Sequence, residues 1–176
     1  MTVPSGPATQ KPVLLVDVDG VLNPFAHRGD FAPGWETYQI EALHLGNPKT
    51  FRVFLWAKHG SWLDELETDF ELIWATTWEE QANTLIGPKI GLVRHWPVAE
   101  IAWRMSGYNK TMGIEELIGD RPAAWIDDEP GSSGLYWRDE RLKRGIPTLI
   151  LTPDPAVGLT RAHKDKLHRF AASLRG

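Results

Sequence analysis

Along the 176-residue chain, short unbroken apolar runs alternate with stretches whose apolar residues recur at helical spacing. PVLLVDV, Pro12 to Val18, is a β-branched run bounded by Pro and Gly, the pattern of a strand buried on both faces. A loop with Pro24, Gly29, Pro33 and Gly34 follows. WETYQIEALHL and TFRVFLW flank GNPK with partial alternation, which predicts a β-hairpin turning at Gly46 to Lys49 and projecting from the body of the domain. Gly60 to Thr68 reads as a helix with Leu63 and Leu66 inward, and FELIWATTW as a second buried strand ending near Thr76. WEEQANTLIG reads as a helix stopped by Gly87-Pro88, and Leu92 to Val98 as another short strand despite Pro97. TMGIEELIG is a short helix opened by Lys110 and ended by Gly119, and PAAWIDDE is a third buried strand. A helix through SGLYWRDERLKRG, a strand IPTLILT and a helix capped by Thr160 and running to about Leu174 complete the alternation.

Alternating elements of this kind predict an α/β fold. The expected architecture is a Rossmann-like three-layer sandwich: a mostly parallel central sheet, helices on both faces, a hairpin flap at 35–57 after the first strand, and no large cap domain. Residues 1–11, polar and rich in Pro and small residues, read as a flexible leader, and 12–176 as a single domain.

The chain has no cysteine, so it has no disulfide framework, no thiolate metal site and no Cys nucleophile. Any metal must be held by oxygen or imidazole. No apolar segment reaches the length of a signal peptide or membrane span, so a cytoplasmic protein without a membrane partner is expected. Nothing in the pattern marks an obligate protein partner. The net charge of −4 gives no global basic field for nucleic acid. RDERLKR and RAHKDKLHR concentrate positive charge locally and read as solvated helix faces. Most of the nine Trp fall inside apolar runs and read as core; Trp35 and Trp78 stand near strand ends and read as packing. His27, His44, His59 and His95 show no metal-ligand spacing.

The endings of the apolar runs carry the chemistry. LLVDVDGVLN sets Leu14, Leu15 and Val16 directly against Asp17, with Asp19 two residues on. Two readings compete for these residues: an ordinary Asp-Gly turn, or carboxylates delivered to a site. The other strands weigh in, because one ends on Thr76 and Thr77 and another on Asp127 and Asp128. In a parallel sheet these ends converge on one rim, where ligands bind. Gathered carboxylates repel unless a cation joins them, and Mg²⁺ with all-oxygen coordination is the natural candidate. Lys110 is placed to bring a second positive charge. A carboxylate beside Mg²⁺ can attack phosphorus in line, and a second one can manage the protons of the leaving oxygen and of water. A Thr hydroxyl and Lys110 would hold the phosphoryl oxygens. Gly20 keeps the turn open for close backbone approach to the phosphate. Asn23 reads as a residue that fixes this loop through its side chain, and Arg104 as one that approaches the phosphate from outside the catalytic set.

DVDGVLN, the Thr of IWATTW, Lys110 in YNKT and the DD of WIDDE stand in the order of the four motifs of the haloacid dehalogenase-like superfamily of phosphohydrolases, which the chain resembles. The resemblance implies that Asp17 is the nucleophile, Asp19 the general acid/base, and Asp128, with Asp127, the metal-binding end of the fourth motif. Asp17 and the backbone carbonyl of Asp19 would join the metal. Thr76 matches the second motif as the first hydroxyl after the strand, with Thr77 as the alternative. A first gap holding only a loop and hairpin resembles capless members, whose open sites often take macromolecular phosphates. The chain also resembles small phosphatase domains associated with RNA-repair proteins, including a Trp-rich strand before the second motif. The implied activity is a Mg²⁺-dependent phosphatase working through an aspartyl-phosphate on a phosphorylated small molecule or nucleic-acid end. The alternatives are a phosphate- or metal-binding regulatory module without significant turnover, and a receiver-type phosphoacceptor, whose motif order differs. A dehalogenase has no use for the acid/base at Asp19.

Overall fold

The computed structural model describes residues 10–25, 33–104 and 107–176. Most of the leader, with His27, Gly29 and the Arg104 side chain, lies outside what is described. In chain order the elements are β1 (Val13–Val16), β2 (Trp35–His44), β3 (Asn47–Trp56), α1 (Ala57–Leu66), β4 (Glu71–Trp74), β5 (Ala102–Arg104), β6 (Gly107–Asn109), α2 (Thr111–Ile118), β7 (Ala123–Ile126), α3 (Gly131–Lys143), β8 (Thr148–Leu151) and α4 (Arg161–Ser173).

The central sheet has the order β4-β1-β7-β8, and all its neighbours pair in parallel. Parallel neighbours need crossovers, and the crossovers supply the covering helices. Side-chain alternation then divides the core in two. Leu14 and Val16 of β1 join Leu72 and Trp74 of β4 and pack with Leu63, Leu66, Leu167 and Ala171 of α1 and α4. Val13 and Leu15 face the other way, with Ile73, Ala123 and Trp125, against Ile114, Ile118 and Trp137 of α2 and α3. The fold is therefore α/β and Rossmann-like, with a parallel sheet flanked by helices. Its second connection passes from β4 on one side of β1 to β7 on the other, making β1 the switch point of the sheet.

β2 and β3 form a separate antiparallel hairpin, paired from Trp35↔Trp56 to His44↔Asn47. Its turn is Leu45-Gly46, not Gly46 to Lys49: both residues have positive φ, 49° and 77°, as a type I′ two-residue turn requires. Pro48, expected in the turn, lies within β3 opposite Leu43. Proline has no N–H to give the ladder. Leu43 in turn directs its own N–H and C=O to the side-chain amide of Gln81, at 2.6 and 3.0 Å.

Three other expectations fail locally. The segment after β4 is not a regular helix ended at Gly87; a π turn at Ala82–Ile86 runs into a 3₁₀ turn at Gly87–Ile90. Asn83, near its start, accepts from Trp74 Nε1 and Trp96 N and donates to the Trp96 carbonyl, so the chain is shaped by side-chain bonds rather than helix propensity. Leu92 to Val98 forms no strand, only a single bridge from Val98 to Trp74, while an unexpected short hairpin, β5 with β6, precedes Lys110. The RDERLKR run is not simply a solvated face. Arg141 is fully buried, donating to the Gly119 and Arg121 carbonyls, the Thr148 hydroxyl and Glu115.

Candidate functional site

The sheet register places the site. Val16, Trp74 and Ile126 are level with one another, so the residues after them leave the sheet at one height. Main-chain bonds extend the ladder one step further, from Asp17 N to the Ile126 carbonyl, from Ala75 N to Val16 and from Asp127 N to Leu151. Asp17, Thr76 and Asp127 thereby meet at the carboxyl end of the sheet. Lys110 reaches them from the start of α2, its Nζ 2.7 Å from both Asp17 Oδ2 and Asp127 Oδ2.

This is a nearly dry cluster: Asp17, Lys110 and Asp127 are 6, 5 and 1% exposed. Burial, helped by the Asp127 charge and opposed by Lys110, leaves the Asp17 carboxyl raised to about 7. For Lys110 burial opposes the charge, but the two carboxylates more than compensate and hold the ammonium above its ordinary value. The other oxygen of each carboxylate accepts a main-chain bond: Val18 N donates to Asp17 Oδ1 at 2.7 Å, and Glu129 N donates to Asp127 Oδ1 at 2.9 Å. Asp128, half-buried, is raised by burial and by Asp127.

Asp19 stands apart from this cluster. Its Oδ1 accepts from Asn23 Nδ2 at 2.7 Å and its Oδ2 from Trp78 Nε1 at 2.9 Å. Asn23 does more than fix its own loop, because its Oδ1 also accepts from Phe54 N of β3, at 2.9 Å. A general acid/base candidate is thus tied to the hairpin through one intervening side chain. Trp78 is buried, as packing would require, but its indole N–H serves Asp19. The sequence contains no signal for that contact, which joins residues 59 apart.

Thr76 is fully buried, its hydroxyl 3.4 Å from Trp78 N, whereas Thr77 is half-buried and lines a small cleft with Asp19 and Trp78. Both residues follow β4 at its carboxyl end. Gly20 has φ +70°, and a Cβ there would lie 2.1 Å from Asp128 Cγ, so its lack of a side chain makes room for that carboxylate. On the far side of Lys110 a cavity of about 250 Å³ is lined by Tyr108, Trp125, Glu129 and Ser133.

Asp17, Asp127 and Asp128 each offer a carboxylate oxygen within 4.8 Å of the others. Three carboxylates against one ammonium leave negative charge in excess, and an all-oxygen donor set of this kind suits a hard divalent cation. The Asp19 carboxylate is not part of that set. No protein-family model matches the chain, and no curated protein matches it significantly. Among the described residues, no helix is long and apolar enough to cross a membrane.

Proposed function

We propose that this protein is a Mg²⁺-dependent phosphomonoester hydrolase of the haloacid dehalogenase-like kind, in a capless form with a hairpin flap. The observation that carries the proposal is the placement of Asp17 at the end of the central strand, paired with Lys110 and within reach of Asp127 and Asp128. A nucleophilic carboxylate needs positive charge around its target, and the site is built to gather it.

Asp17, Asp127 and Asp128 would hold the metal, with the main-chain carbonyl of Asp19. When bound, Mg²⁺ supplies charge that keeps Asp17 ionised and neutralises the phosphoryl oxygens. In the first step a carboxylate oxygen of Asp17 bonds to phosphorus, the bond from phosphorus to the ester oxygen breaks, and Asp19 gives that oxygen its proton. The alcohol leaves. In the second step water attacks the aspartyl-phosphate and Asp19 takes its proton, which releases inorganic phosphate and restores Asp17. Lys110 and the Thr76 or Thr77 hydroxyl hold the phosphoryl oxygens through both steps. The substrate is a small-molecule or nucleic-acid-end phosphate.

Asp17→Asn keeps the size of the side chain and removes the nucleophile. Hydrolysis of p-nitrophenyl phosphate with Mg²⁺ should fall at least about 10³-fold in this variant and vanish from the native protein in EDTA. Metal-dependent turnover retained by Asp17→Asn would remove the assignment. Phosphate and metal binding without turnover on a broad panel of phosphomonoesters would favour a regulatory module instead.

A further inference from the structure

We infer that the cleft between the hairpin and the turn after β4 is the leaving-group subsite, and that it selects phosphomonoesters whose alcohol carries one flat ring beside the ester oxygen. The inference rests on the hydrolase reading above and adds the substrate class to it.

A general acid must touch the oxygen it protonates. Among the described residues, Asp19 lines the cavity under the hairpin and not the larger one beyond Lys110. The alcohol therefore extends from Asp19 into the cleft walled by Phe51, Trp78, Ala42, His44 and Thr77. The Asp19 carboxylate is oriented at this wall, because Asn23 and Trp78 each donate to one of its oxygens, and each oxygen keeps a second lone pair for the proton it exchanges.

The walls indicate what fits. The Phe51 and Trp78 rings meet at 5.2 Å between centroids, tilted by 57°, and the His44 ring lies 6.0 Å from Phe51. Trp78 is buried behind this wall, and the half-buried Phe51 is the ring positioned to pack on a further one. The cleft measures about 100 Å³. That is near the scale of a cavity that takes up benzene, about 150 Å³, and below the roughly 300 Å³ that encloses larger ligands. One ring enters; anything attached beyond it stays in solvent.

The cleft is also preformed. Gln81 holds Leu43 through two hydrogen bonds, and Asn23 holds Phe54, so the hairpin is pinned to the body at two separate strand positions. A wall already ordered costs little further entropy when a ligand packs on it.

Benzyl and propyl phosphate test this directly, because their leaving alcohols are of similar acidity and make comparable demands on Asp19. In the native protein with Mg²⁺, kcat/KM for benzyl phosphate should exceed that for propyl phosphate by about tenfold or more. Phe51→Ala should shrink that ratio to within about threefold, since the wall that recognises the ring is lost. Inhibition of the native protein by benzylphosphonate and propylphosphonate reads the same preference without a variant, and the benzyl compound should bind more tightly. Equal kcat/KM values in the native protein overturn the subsite and leave the hydrolase standing. An unchanged ratio in a folded Phe51→Ala protein, or equal inhibition by the two phosphonates, does the same. No turnover of either ester by the folded native protein overturns both.

Discussion

Gly20 and Arg141 show how single positions hold the site and its scaffold. A Cβ at Gly20 meets the Asp128 carboxylate at 2.1 Å, and the backbone there has positive φ. Gly20→Ala should therefore lose about 2 kcal/mol in urea unfolding and weaken Mg²⁺ binding measured by calorimetry, because Asp128 must move. Arg141 is buried and satisfies two main-chain carbonyls that bracket the end of α2 and the approach to β7. Removing it in Arg141→Met strands those acceptors and should cost about 3 kcal/mol by the same measurement. The two positions differ in what sequence alone can say about them. Gly20 stands out because it follows two carboxylates at the end of an apolar run. Arg141 sits in a charge run whose ordinary meaning is solvent, and nothing in RDERLKR singles out the one residue that turns inward. Trp78 is similar: its apolar surroundings explain its burial, but its bond to Asp19 depends on a fold that brings distant segments together.

The hairpin is the element where pattern and outcome diverge most usefully. Alternation made it legible, but its turn was not, because Leu45 adopts a positive φ that a branched-chain aliphatic rarely takes and Pro48 imitates a turn residue. The π turn was equally hidden. Its shape depends on Asn83 bonding to Trp74 and Trp96, and helical periodicity carries no trace of such bonds. Gln81 is the hairpin's outer anchor. In Gln81→Ala the Leu43 amide should exchange its hydrogen faster by at least about tenfold, while global stability changes by only about 1 kcal/mol. Equal exchange rates in the two proteins would mean that the anchor does not hold in solution.

For the whole molecule, the parallel sheet was legible because its strands are continuous apolar runs that stop at polar residues, and those stops marked the rim. The connection from β4 to β7 was not, since β5 and β6 are too short and irregular to leave a pattern. Global stability also depends on pH through a residue without a catalytic role. His59 is fully buried, with Nε2 3.0 Å from the Leu159 carbonyl and its ring against Trp35, Trp56 and Trp62. Burial lowers its pKa to about 4 from 6.5. Above pH 6.5 both folded and unfolded chains keep it neutral and its contribution is intact. As pH falls from 6.5 towards 4, the unfolded chain takes up a proton that the folded one refuses, and stability drops. Between pH 7.5 and 5 this amounts to about 2 kcal/mol. Asp17 acts in the opposite sense: its raised value lets the folded chain keep a proton between pH 3.8 and about 7. His59→Gln isolates the histidine, and its urea midpoint should fall less steeply with acid than that of the native protein.

The bond pair between Gln81 and Leu43 has a consequence for association between molecules. An outer hairpin strand exposes main-chain donors and acceptors that another chain can copy, which is how sheets extend from one protein into the next. At Leu43 both groups are already taken by a side chain that imitates a peptide unit. An invading strand would meet a filled position there. Gln81 thus serves as a one-residue stopper, interrupting the template where β2 approaches its turn.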